Sequence, residues 1–216
     1  MTGMKWWFKA RRGHTLLPLT LTVFLLFVIV VRNSVIGLPS LLSGGGDVVL
    51  MTFAPIPVTS GLMAVLDSRL DAPETSGIRP VAVLDSLLVL AVAGLAALIG
   101  LIAGTALGQP DAIITGRNTA FLVGLTLCVR AVAGPAAVMA PVGWLMLVIL
   151  VGVGPDGDPY PWTVVRPPLD SWPAAVAAVL VLAAGTAAVL RPALRRPRRP
   201  AASHARSRSP RSLRKT

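Results

Sequence analysis

Charge is scarce in this chain. Only 13% of its 216 residues are charged, against about 25% in a typical soluble domain. So few charges cannot cover a surface that faces water, and lipid is the expected main solvent. Cysteine is nearly absent. The single Cys128 excludes an internal disulfide and every cysteine-based zinc or iron–sulfur pattern, and within its apolar run it reads as a small buried hydrophobe. Histidine is limited to His14 and His204, both outside the apolar runs, so no imidazole is available inside a helical bundle. There is no GxxxxGK[ST] phosphate loop, no HExxH and no nucleophile–base pair. Asp156 and Asp158 lack the glutamate of a calcium loop. Catalysis, a resident metal and a cofactor are therefore not expected.

What fills the chain is apolar: 54% of the residues, with a mean hydropathy of +0.75. Crossing about 30 Å of hydrocarbon takes roughly 20 apolar residues as a helix. Six runs qualify, at residues 15–31, 48–66, 81–103, 119–133, 136–153 and 172–190. The expectation is an all-α, polytopic bundle of about six transmembrane helices over residues 1–190, followed by a disordered basic tail at 191–216. The fourth and fifth runs are joined only by Gly134-Pro135 and together make about 35 residues, too long for one crossing. Two spans are the preferred reading, and a pair of tilted or half-membrane segments is the alternative. The first run has the basic lead and apolar core of a signal peptide, but Arg32-Asn33 follow it where small residues would mark a cleavage site. It reads as an uncleaved first helix.

The formal charge of +11 is unevenly placed, with ten of the twenty basic residues and no acid between Arg191 and Lys215. Lys/Arg in short loops marks the cytoplasmic side. Lys5, Lys9, Arg11 and Arg12 precede the first span, which puts the N-terminus inside, and six crossings return the tail to the same side. That arrangement leaves seventeen basic residues inside and three, Arg32, Arg117 and Arg166, outside. Trp6, Trp7 and Phe8 before the first span, and Tyr160, Trp162 and Trp172 around the last outer loop, fit interfacial aromatic belts. Proline and like-charge repulsion deny the tail a core. Its arginines suit anionic lipid headgroups. RNA is a poorer fit, because no aromatic platform is interleaved with them.

Four constellations stand out. The inner loop DSRLDAPETSGIRP holds Asp67, Arg69, Asp71, Glu74 and Arg79. Its mixed charge suits a cytoplasmic partner such as an ATPase, or simply a solvated connector. Asp85 and Arg130 are ionisable residues at membrane depth, where such groups usually face the bundle interior or a partner. They have matching depths for a pair that Asp67 or Arg69 could join, at a substrate entry or as a structural clamp. Pro55 and Pro57, near the middle of the second run, remove two amide donors and are expected to kink or unwind it. Broken backbone at that depth is tolerated only inside protein or beside a water-filled cavity, which marks a path or hinge. Gly100, Gly104 and Gly108 form a stripe that lets helix backbones approach closely, within the chain or across a dimer seam. The third of them, beside Gln109-Pro110, also suits a helix end.

The charged inner loop, the Gly116-Arg117-Asn118 lead into the fourth span, the CVRAVAGPAA link from Cys128 to Ala137 and the PYPW at Pro159–Trp162 resemble small six-helix permease-like proteins of GC-rich Gram-positive bacteria. Those in turn resemble the membrane subunits of ATP-binding-cassette exporters of the second type. The likeness covers most of residues 15–190. It implies an export path through a homo- or heterodimer in the bacterial plasma membrane, driven by a separate ATPase that touches the loop after the second helix. The alternative is a non-transport scaffold or assembly factor whose basic tail holds lipid or a partner.

Overall fold

The computed structural model describes residues 13–32, 34–38, 40–41, 46–68, 81–156, 158–166 and 168–195. Within them run six α-helices: α1 (Gly13–Val31), α2 (Pro55–Asp67), α3 (Val81–Leu107), α4 (Pro110–Ala133), α5 (Ala140–Val151) and α6 (Trp172–Arg195). Two short 3-10 helices, Leu50–Phe53 and Gly134–Met139, lead directly into α2 and α5. Between α1 and α2 lies an antiparallel hairpin of β1 (Val35–Leu38) and β2 (Gly46–Val49), paired in the register Val35 with Val49 and Leu38 with Gly46. The β-branched residues of both strands suit this extended ladder; among the described residues an isolated bridge between Val153 and Pro159 adds the remaining extended pairing.

Polarity is arranged opposite to that of a water-soluble bundle. Leu19, Leu26 and Val30 on α1, Leu87, Leu98 and Ile102 on α3, and Val179 and Leu180 on α6 are exposed, whereas Asp85, Asn118, Thr119 and Thr126 are buried. Most buried threonines need no partner outside their own helix. Thr59, Thr119 and Thr126 donate to the carbonyls of Pro55, Thr115 and Leu122, four residues back, which satisfies the hydroxyl in an apolar surrounding. Among the described residues, five helical stretches are long and apolar enough to cross a membrane: His14–Val31, Leu50–Asp67, Ala82–Leu107, Pro110–Val151 and Trp172–Arg191.

The fourth stretch is 42 residues long, yet it is not one rod. The rings of Phe121 and Trp144 stand 5.4 Å apart. Along a continuous helix, twenty-three residues would separate them by about 34 Å at 1.5 Å per residue. The chain therefore turns back, and it does so at Gly134, whose φ of 62° and ψ of −137° lie where only glycine sits without strain.

α4 is the axis of the bundle and packs against α2, α3, α5 and α6. Glycines set how closely two of these neighbours approach. A Cβ on Gly100 would stand 2.5 Å from the Ala112 carbonyl, and one on Gly185 2.5 Å from the Gly124 carbonyl. Gly100 and Gly104 thus face α4 inside this chain, and Gly108, with φ 62°, follows the end of α3.

Several boundaries differ from the sequence expectation. The second span, expected as a helix kinked near its middle, is instead strand, 3-10 turn and then helix. Pro55 is the first residue of α2 and Pro57 the third, positions whose amides have no intrahelical acceptor in any helix. The expected mid-helix break is therefore a helix start. The fourth span, expected from 119, begins at Pro110, because proline is favoured at the first helical position and Gln109 is the extended residue before it. α3 runs on to Leu107 and α6 to Arg195, so the first residues of the expected tail continue a helix. The remainder of that tail lies outside the described residues.

Candidate functional site

The bundle has two polar ends. One gathers the C-termini of α2 and α4. There Arg130 forms an ion pair with Asp67 at 2.6 Å and donates to the Leu66 carbonyl at 3.3 Å, with Met63 Sδ 3.9 Å away. The guanidinium so occupies the C-terminal end of α2, where free carbonyls and the helix dipole favour a cation. Asp85, near the start of α3, is fully buried. Of the residues singled out from sequence, the structure joins Asp67 with Arg130. Arg69, Asp71, Glu74 and Arg79 lie outside the described residues.

The hairpin end carries a cavity of about 250 Å³. It is lined by the broken entry to α2 (Met51, Thr52), the first half of α4 (Asp111, Thr115, Asn118), α5 (Leu145, Val148), β2, and the loop at Val165-Arg166. Each wall follows from local sequence. The 3-10 turn at Leu50–Phe53 exists because Pro55 and Pro57 fix where α2 can begin. It leaves backbone that is not α-helical against a cavity, the setting in which such backbone is tolerated inside a membrane.

The loop from α5 to α6 is drawn down onto this end by α4. Arg117 donates to the carbonyls of Pro168 at 3.1 Å and Val164 at 3.5 Å, and Asn118 Nδ2 donates to the Val165 carbonyl at 2.8 Å. A run of rings pins the loop from the other side: Trp144 meets Trp162 edge-on at 6.0 Å, and Trp162 stacks on Tyr160 at 6.5 Å. On the hairpin side, Ser40 and Leu41 donate to the Leu150 carbonyl at the end of α5.

Electrostatically the cavity holds both signs. Asp111 stands in the first turn of α4, where the dipole favours a carboxylate, and it forms no ion pair among the described residues. Burial pushes the Arg166 guanidinium below its ordinary value, because desolvation penalises the charged form. Asn118 is 1% exposed. Its amide nitrogen is engaged, while its Oδ1 is buried without a hydrogen-bond donor. It shares that state with both side-chain polar atoms of Gln109, Arg117 Nε and Trp144 Nε1.

Sequence reasoning placed neither Asp111 nor Asn118 in a site. Arg117 and Asn118, expected as a lead into the fourth span, lie about two turns inside α4. The available signal was Gln109-Pro110, a helix start that moves both residues into the bundle. The chain matches no family model, no curated protein and no solved structure.

Proposed function

We propose that the chain is a six-crossing protein of a bacterial plasma membrane that serves as the permease subunit of a transporter, with its energy supplied by a separate ATPase. The observation that carries this reading is the interrupted second crossing, Leu50–Phe53 and then α2, lining a cavity that also contains charged and hydrogen-bonding groups. Broken helices beside a polar cavity are how membrane carriers bring backbone and side-chain polarity to a solute.

In this reading α5 and the 3-10 helix before it form the fifth crossing. Twelve residues of α-helix and six of 3-10 helix reach about 18 Å and about 12 Å, together near the hydrocarbon thickness. The hairpin end then faces outward, and the Asp67–Arg130 end faces the cytoplasm together with the charged loop that follows α2. In this reading nucleotide hydrolysis belongs to another chain, and the loop from Asp67 to Arg79 is the natural place for that chain to dock. Export as the direction follows from the resemblance to exporters of the second type.

Co-purification tests the reading. An affinity-tagged full chain, extracted from its own cells in mild detergent, is expected to bring down a nucleotide-hydrolysing partner, and replacing Asp71 and Glu74 with alanine is expected to release it. Recovery of the chain without any ATPase overturns the reading. The competing scaffold reading rests on the ten basic residues between Arg191 and Lys215. It requires that removing residues 196–216 abolish function, whereas the permease reading requires that the shortened chain still work with its partner.

A further inference from the structure

We propose that the cavity at the hairpin end binds a small zwitterion with an aliphatic body, of the kind represented by a branched-chain α-amino acid. The proposal names the substrate class for the permease reading and rests on that reading for its biological use, but the binding itself requires only the cavity.

Size comes first. Pockets for drug-sized ligands span about 300–1,000 Å³, and this one holds about 250 Å³. It suits a metabolite of about amino-acid size.

Polarity narrows the class. The α4 wall of the cavity carries the Asp111 carboxylate, which forms no ion pair among the described residues. A carboxylate asks for a ligand with N–H donors, and an ammonium group supplies three. Arg166 also lines the cavity. A guanidinium has five donors, so it can take a ligand carboxylate in addition to its existing contacts. A site with both signs disfavours a bare cation, which Arg166 repels, and a bare anion, which Asp111 repels. A molecule carrying both charges meets both partners. The remaining lining, among it Val49, Met51, Leu145 and Val148, is apolar and matches an aliphatic side chain.

The experiment uses the purified full chain in lipid nanodiscs and radiolabelled L-leucine, L-valine and L-isoleucine. Saturable binding of at least one is expected. Unlabelled 4-methylpentanoate lacks the ammonium, leucine methyl ester lacks the carboxylate, and glycine lacks the aliphatic body. Each is expected to compete at least tenfold less well than the bound amino acid. Asp111→Asn is expected to weaken binding tenfold or more and to erase the preference for leucine over 4-methylpentanoate, a change of selectivity that loosened packing would not produce. Arg166→Gln is expected to erase the preference over the methyl ester instead. No saturable binding of any of the three amino acids overturns the proposal, and so does binding in which the analogues compete equally well. Saturable binding without any ATPase partner would leave the site standing and remove the transport reading. Partner-driven activity with no zwitterion binding would do the reverse.

Discussion

A methyl group added to Gly124 would meet the backbone of α6, 2.5 Å from Leu182 N and 2.6 Å from its Cα. No rotamer can relieve that contact, so α4 and α6 must separate. Gly124→Ala is expected to cost about 1–3 kcal/mol, the usual penalty of overpacking. Gly94 is the control, since a Cβ there meets nothing within 4 Å. Gly94→Ala is expected to be neutral or to stabilise by up to about 1 kcal/mol, through helix propensity alone. Thermal unfolding of both variants in the same detergent separates the two outcomes. The Asp67–Arg130 pair yields a second prediction from an asymmetry. Their side chains are 35% and 20% exposed, so the pair itself is worth about 0.2–1 kcal/mol, and Asp67→Asn is expected to lie in that range. Arg130→Ala also strips the Leu66 carbonyl of its charged donor, a bond of about 1.5–3 kcal/mol, and is expected to destabilise at least twice as much. At this scale the sequence was partly legible. An arginine and an aspartate at membrane depth announce themselves through the cost of burying them. Asn118, as an uncharged amide, carries no such signal, and its importance depends on which of its two polar atoms finds a partner.

Helix boundaries depend on whether a proline or glycine sits at an end or in the middle, and a hydropathy run does not distinguish the two. That is why the six apolar stretches could be found from composition while the entries to α2 and α4 were misplaced. Pro55 and Pro57 occupy the first turn of α2, where no intrahelical bond is lost. Pro55→Ala and Pro57→Ala are each expected to change stability by less than about 1 kcal/mol, against about 3 kcal/mol for releasing or creating a proline inside a helix. A larger effect in thermal unfolding would mean that the prolines act on the interior of the crossing after all. Gly134 is the opposite case. Its φ of 62° and ψ of −137° are set by the reversal between α4 and the 3-10 helix, and nothing crowds its Cβ position. Gly134→Ala is therefore a pure test of backbone strain, with an expected cost of about 1–3 kcal/mol. The sequence showed a break at Gly134-Pro135. The Phe121–Trp144 contact, twenty-three residues apart along the chain, shows that the break is a reversal.

For the whole molecule, the physical question is how many times the chain crosses. Five apolar stretches are long enough to cross, and the fourth, of 42 residues, folds back on itself at Gly134. In the proposed six-crossing reading, the hairpin β1–β2, the α3–α4 turn at Gln109 and the loop at 152–171 share one side, and Ser68, the 3-10 helix from Gly134 and the end of α6 share the other, which arginine and lysine would put in the cytoplasm. This layout is open to a decisive measurement, because the chain has one cysteine, Cys128. With Cys128→Ala as the background, single cysteines at Asp156 and at Ser68 report opposite sides to a membrane-impermeant maleimide. Asp156→Cys is expected to label in intact cells, and Ser68→Cys only after permeabilisation. A cysteine at Ala136, in the 3-10 helix, decides between the two models of the fourth stretch. It labels only after permeabilisation if the turn reaches the cytoplasmic face, and in neither condition if α4 and α5 meet as half-crossings in the hydrocarbon. The first result is expected for a physical reason: a half-crossing would strand the Asp67–Arg130 pair, which α2 and α4 hold beside that turn, in a medium where neither charge could reach water.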